Sequence, residues 1–121
     1  MVRGIRGAIT VDSNTKDAIR EATKRLLTVI IERNHIAFED IASVFFTGTT
    51  DLDEEVPARA ARNMGWTSVP MFCMQEMMVK DGLPLCIRVM IHVNTNKQQQ
   101  EIQHVYLGEA ARLRPDLAEG G

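Results

Sequence analysis

At 121 residues, with 45% hydrophobic and 25% charged residues and no long biased segment, the chain is expected to form one domain, residues 1–121, around a modest core. Its 14 Lys and Arg are interspersed with 16 Asp and Glu for a net charge of -2; this gives neither a nucleic-acid footprint nor a basic membrane-binding face, so any affinity for an anion has to be local. No apolar stretch reaches the ~20 residues of a membrane span, Cys73 and Cys86 make no CxxC pair, and MVRGIRG lacks a signal-peptide layout, so free thiols and a cytoplasmic location are expected.

Residues 2–11, VRGIRGAITV, alternate and carry β-branched side chains, which predicts a strand. Ile5, Ile9 and Val11 share one of its faces with Arg3 and Gly7; Val2, Gly4, Arg6, Ala8 and Thr10 share the other. DSNT supplies N-cap candidates, Asn14 among them, for an amphipathic helix over residues 15–34. Ile19, Ala22, Leu26, Val29 and Ile30 form its apolar stripe, with Lys16, Arg20, Lys24 and Glu32 largely outside it. FEDI, 38–41, predicts a helical turn before a second strand, IASVFFTG, ending near Gly48. Pro57 opens a short helix, PARAARNM, that Gly65 stops. SVPMFCM is a third strand, followed by a turn at Asp81 and Gly82 and a fourth strand, LPLCIRVMIHV, 83–93. Beyond the linker NTNKQQQ, QHVYL predicts a short strand, EAARL a helical turn, and the chain from about residue 113 a mobile tail. The element order predicts an α+β domain: a mixed sheet covered by the long helix on one face.

Face assignment brings out the chemistry. In the fourth strand Ile87, Val89, Ile91 and Val93 point to the core, while Cys86, Arg88, Met90 and His92 point away. Arg88 and Arg6 thus stand on the face remote from the helix. A guanidinium is permanently charged and costly to bury alone, so Arg88 has two open readings: an internal ion pair, or a binding site for an anion. Exposure of Ala8, Cys86 and Met90 beside these charges would be unfavourable, so another subunit is expected to cover part of this face and leave an arginine-lined crevice.

Other chemistries find little footing in the sequence. His35, His92 and His104 show no HxxH or HExxH spacing, so no metal site is expected. Neither a GxSxG elbow nor a phosphate-binding glycine loop occurs, and Cys73 has no histidine nearby. MFCMQEMM reads as a flexible core edge.

RGIRGAITV, CMQEM, CIRVM, QHVYL and LRPDL, in this order and spacing from Arg3 to Leu117, resemble the β-rich, homotrimeric monofunctional chorismate mutases, the AroH class. The resemblance implies an α+β protomer, a trimer with a barrel-like β core and helices outside, and active sites in clefts between subunits. It implies conversion of chorismate to prephenate on the route to phenylalanine and tyrosine, without cofactor or metal. By position, Arg6 corresponds to an arginine that binds a substrate carboxylate, Arg88 to one placed against the ether oxygen, and Tyr106 to a tyrosine near a carboxylate. Glu76 and Cys73 correspond to positions facing the ring hydroxyl, with the backbone of residues 72 to 76, Phe72, Met74 and Gln75 among them, adding contacts. Arg62 corresponds to an arginine at the cleft mouth and Leu113 to a tail residue that helps cover it. The pattern departs at Val56, where a phenylalanine is expected, at Phe72, where a smaller hydroxyl residue can stand, and at Gln103, where an arginine is frequent.

The implied reaction suits these residues. It is unimolecular, so the catalyst has to restrain a flexible dianion in a compact conformer and stabilise charge on the ether oxygen. Arg6 and Tyr106 serve the first need and Arg88 the second, with Glu76 binding the hydroxyl. The main alternative is a non-catalytic trimeric module that binds a carboxylate in the same cleft, which leaves Glu76 and Tyr106 without a role. A small trimeric hydrolase or deaminase would require a base to activate water, and none is evident.

Overall fold

The fold is described from a computed structural model over residues 1–116. Its elements are β1 (Val2–Thr10), α1 (Lys16–Asn34), β2 (Ile41–Gly48), α2 (Pro57–Asn63), β3 (Met71–Gln75), β4 (Cys86–Asn94) and β5 (Val105–Leu107), with 3-10 turns at Phe38–Asp40, Gln99–Glu101 and Gly108–Arg112. The strands form one mixed sheet in the order β3-β2-β4-β1-β5. The central pairs β1/β4 and β2/β4 are antiparallel, while β5 joins β1 and β3 joins β2 in parallel. This is the α+β class expected. No helix among the described residues is long and apolar enough to cross a membrane.

Thr15, the last residue of DSNT, caps α1, its hydroxyl accepting from the Ala18 N–H at 3.1 Å. Asn14 acts differently. It exchanges hydrogen bonds with Asp53 and accepts from the Glu54 N–H, which ties the loop before α2 to the start of α1. The buried stripe of α1 is Ile19, Thr23, Leu26, Leu27, Ile30 and Asn34. It therefore includes two polar residues, each with its hydrogen bonds satisfied. The Thr23 hydroxyl donates to the Ile19 carbonyl, and the Asn34 amide clasps the backbone N–H and C=O of Gln103, pinning the helix to the approach of β5. Gly7 lets the helix come this close, because a Cβ there would lie 2.6 Å from Ile30 Cδ1.

Ile5, Ile9, Ile87, Val89, Ile91 and Val93 meet Leu26, Leu27 and Ile30 in the principal core, as the alternation predicts. Two strands start later than expected. Pro70 lies outside β3, lending its carbonyl to the Val44 N–H. Ahead of β4, Leu85 adopts φ 50°, a left-handed conformation unfavourable for a leucine, and the Asp51 carboxylate accepts its N–H at 3.0 and 3.2 Å. The turn at Asp81 and Gly82 does not make β3 and β4 a hairpin: β2 lies between them.

The premise that Ala8 and Cys86 would lie exposed unless another subunit covered them is corrected. Both are buried by the chain itself, in a small second cluster with Tyr106 and Ala110 against which Leu83 and Leu113 pack. Once past β5, the chain turns back over this end of the sheet and does the covering. Met90 remains half-exposed. Of the tail expected from residue 113, residues 117–121 lie outside the described residues.

Candidate active site

The pairing registers align one side chain per strand across the face away from α1: Tyr106 on β5, Ala8 on β1, Arg88 on β4, Thr47 on β2 and Met74 on β3. The adjacent row is Arg6, Met90, Phe45 and Phe72. Neighbouring strands lie about 4.8 Å apart, so Arg6, Arg88 and Tyr106 converge on one patch centred over Ala8.

Arg88 Nη1 lies 3.3 Å from Glu76 Oε2, and the arginine side chain is 41% exposed against 20% for the glutamate. The other Glu76 oxygen accepts a hydrogen bond from the Thr47 hydroxyl, and the Glu76 N–H donates to the Gly48 carbonyl at 2.8 Å. The ion-pair reading of Arg88 is therefore correct without excluding the other reading, since much of its guanidinium still faces outward.

Two cavities meet at this pair. One, about 250 Å³, is lined by Arg6, Phe45, Thr47, Glu76, Arg88, Met90 and Tyr106 among others. A smaller one, about 90 Å³, has Thr49, Met77, Met78, Leu83, Cys86 and Leu113 on its walls. The first is cationic: Arg6 has no carboxylate within ion-pairing distance among the described residues, so two guanidinium groups face a single carboxylate. The second is chiefly apolar. The Cys86 thiol on its wall is pushed up to about 11, by burial first, with Arg88 opposing and Glu76 and Asp51 adding to the rise; it is a neutral packing group.

His104, next to β5, accepts the Arg6 backbone N–H through Nδ1 at 2.9 Å. That requires the neutral ring, and burial together with the Arg6 and Arg114 charges lowers its pKa.

The remaining expected residues lie elsewhere on the protomer. Cys73 and Gln75 pair with Phe46 and Gly48 and so share the parity of Phe46, a core residue on the helix side, whereas Phe72 and Met74 stand with Phe45 and Thr47. The Cys73 sulfur is near Ala58 and Arg62 of α2, where burial raises its pKa against their lowering influence. Val56, exposed, is the N-cap of that helix. The structure thus gathers Arg6, Glu76, Arg88, Tyr106 and Leu113 around the two cavities and leaves Val56, Arg62, Phe72, Cys73, Met74 and Gln75 outside their walls. Thr47 and Leu83 line these cavities and are not among the residues expected from the sequence. Only the β2/β4 register sets Thr47 opposite Arg88, and no spacing along the chain announces it.

The family described as chorismate mutase type I matches residues 2–117. The chain belongs to the type I chorismate mutase family. It is 50% identical to the chorismate mutase AroH of Bacillus subtilis strain 168 over 119 residues, covering 98% of this chain and 94% of that protein. With the chorismate mutase AroH of Thermus thermophilus it shares 50% identity over 118 residues, 97% of each chain. A solved structure of the chorismate mutase from Clostridium thermocellum superposes with a TM-score of 0.89 at 51% identity, covering 91% of this chain and 98% of that one. The residues that line the cationic groove lie within the matched span.

Proposed function

We propose that this protein is a chorismate mutase that rearranges chorismate to prephenate, with Arg88 as its central catalytic group. The observation that carries the reading is a half-exposed Arg88 at the middle of the sheet, with Arg6, Glu76 and Tyr106 around the same groove, in a chain of this family. The ether C–O bond breaks as the new C–C bond forms within one molecule, so no proton donor, nucleophile or cofactor is demanded. Arg6 and Tyr106 hold a carboxylate and restrict the substrate to its compact conformer. Arg88 stabilises the negative charge growing on the ether oxygen, and a fixed guanidinium does this better than a neutral donor. Glu76 takes the ring hydroxyl.

The enzyme works as a homotrimer in which the groove of one subunit is completed by the Val56, Arg62 and Phe72–Gln75 patch of the next. Three features support this. The groove, about 250 Å³, is smaller than the ~300–1,000 Å³ usual for a ligand site; Cys73 and Gln75 of the second patch have the opposite parity on β3 and stand on the other side of the sheet from the groove; and Phe72 and Met74 are exposed on the bare sheet face. A cytoplasmic location accompanies the biosynthetic role.

The test is to follow the loss of chorismate ultraviolet absorbance with purified protein and to confirm prephenate by acid conversion to phenylpyruvate. Acceleration supports the reading; binding of chorismate without turnover would return the groove to a carboxylate-binding module. Sedimentation at one protomer mass would exclude the shared site.

A further inference from the structure

We infer that Thr47 is a positioning residue that holds Glu76 back from Arg88 and so preserves the arginine's charge for the substrate. The inference rests on the chorismate mutase reading of this groove. In the sheet order, Thr47 on β2 stands between the strand that leads to Glu76 and the strand that carries Arg88, and its Cα is the direct partner of Arg88. Glu76 hangs from β2 by two bonds, its N–H on the Gly48 carbonyl and one carboxylate oxygen on the Thr47 hydroxyl. Only Oε2 is left for Arg88, and at 3.3 Å it is longer than the about 2.7–2.9 Å of a strong charge-assisted bond.

Without the hydroxyl, both carboxylate oxygens are free to close on the guanidinium in the bidentate geometry that arginine favours. That pairing neutralises the cation and occupies the N–H groups that have to reach the ether oxygen. A side chain that never touches the reacting atoms thereby controls one that does.

Thr47→Val keeps the β-branched shape and deletes the hydroxyl, while Thr47→Ser keeps the hydroxyl and deletes the methyl. Parent turnover of chorismate is measured first, which tests the function itself separately. Thr47→Val is expected to lower kcat about tenfold with KM changed by less than about twofold, and Thr47→Ser to remain within about twofold of the parent. In a Glu76→Gln background there is no carboxylate charge to restrain, so adding Thr47→Val should change the rate little. If Thr47→Val turns over like the parent, if Thr47→Ser loses as much, or if the loss is the same in both backgrounds, the inference is overturned. Should Thr47→Val not fold, Thr47→Ala is held to the same criteria.

Discussion

Glu55 and Glu76 each meet an arginine, under opposite conditions. The Glu55 side chain is 2% exposed and is gripped by Arg20 Nε and Nη2, both at 2.8 Å, by Arg59 Nη1 at 3.2 Å and by the Val56 N–H. Burial disfavours its charge, but those donors outweigh burial and hold its pKa below the ordinary carboxylate range. Glu76 has one long contact with Arg88 and one hydroxyl partner, at the rim of a groove. The first arrangement uses up its carboxylate to fasten α2 to α1. The second leaves a cation half-open, which is a poor way to stabilise a fold and a good way to receive an anion.

The contrast is broken most directly at Arg88. Arg88→Ala is expected to lower kcat at least ~10²-fold while shifting unfolding free energy by no more than about 1 kcal/mol, since the pair is largely solvated. Near-parent turnover in a folded variant would make Arg88 as structural as Arg20. The second arm is Arg6, which has no carboxylate within ion-pairing distance to release among the described residues. Arg6→Ala is expected to act on substrate binding, raising KM about tenfold or more, the value of a charge-assisted hydrogen bond; an unchanged KM in steady-state kinetics would remove it from the carboxylate site.

How far this contrast is legible in the sequence depends on which residues are compared. Alternation along residues 86–93 separates Ile87, Val89, Ile91 and Val93 from Arg88, and the structure keeps that division. Cys73 and Glu76 are three residues apart, an odd step that sends them to opposite faces of an extended segment, so their parting is legible once the period of two is carried through residue 76. The partners of the two carboxylates are another matter. Glu55 is 35 residues from Arg20, and Thr47 is 29 from Glu76; these contacts exist only because α1 packs on α2 and β2 lies between β3 and β4. Strand order is a property of nonlocal pairing, and periodicity carries no trace of it. The cover over Ala8 and Cys86 was missed for the same reason: the turn after β5 that supplies Ala110 lies about 100 residues from Ala8 in sequence, and only the parallel β1/β5 pairing brings it there.

The structural arm is tested by Glu55→Ala, which is expected to cost about 1–3 kcal/mol in urea unfolding, the worth of charged hydrogen bonds. That is below the ~3–5 kcal/mol of breaking a fully buried pair, because Arg20 and Arg59 reach water once released. Turnover per folded molecule should fall far less than in Arg88→Ala. A larger loss of rate than of stability would show that α2 is set for catalysis by this pair. The acid limb follows from the same lowered pKa: the Glu55 contribution is present above the unfolded carboxyl value of about 4.3 and is lost as pH falls through its lower folded value.

The smallest effect is expected at His104, and it bears on whether Arg6 is held by the backbone or only by its own side chain. The folded pKa of His104 lies below the ordinary histidine value, so the unfolded chain takes up the proton first as pH falls. Its contribution is therefore complete above about pH 6.5 and declines from there through the lower folded value. The charged groups that burden the protonated ring are both cations, Arg6 on β1 and Arg114 after the last turn, and protonation at Nδ1 also removes the acceptor of the Arg6 N–H. His104→Asn offers a carbonyl acceptor that does not titrate. Urea midpoints on either side of about pH 6.5 should then differ less in the variant than in the parent, and the KM for chorismate should lose the matching part of its acid rise. An identical pH response in both proteins would assign the slope to another group and leave Arg6 positioned without the histidine.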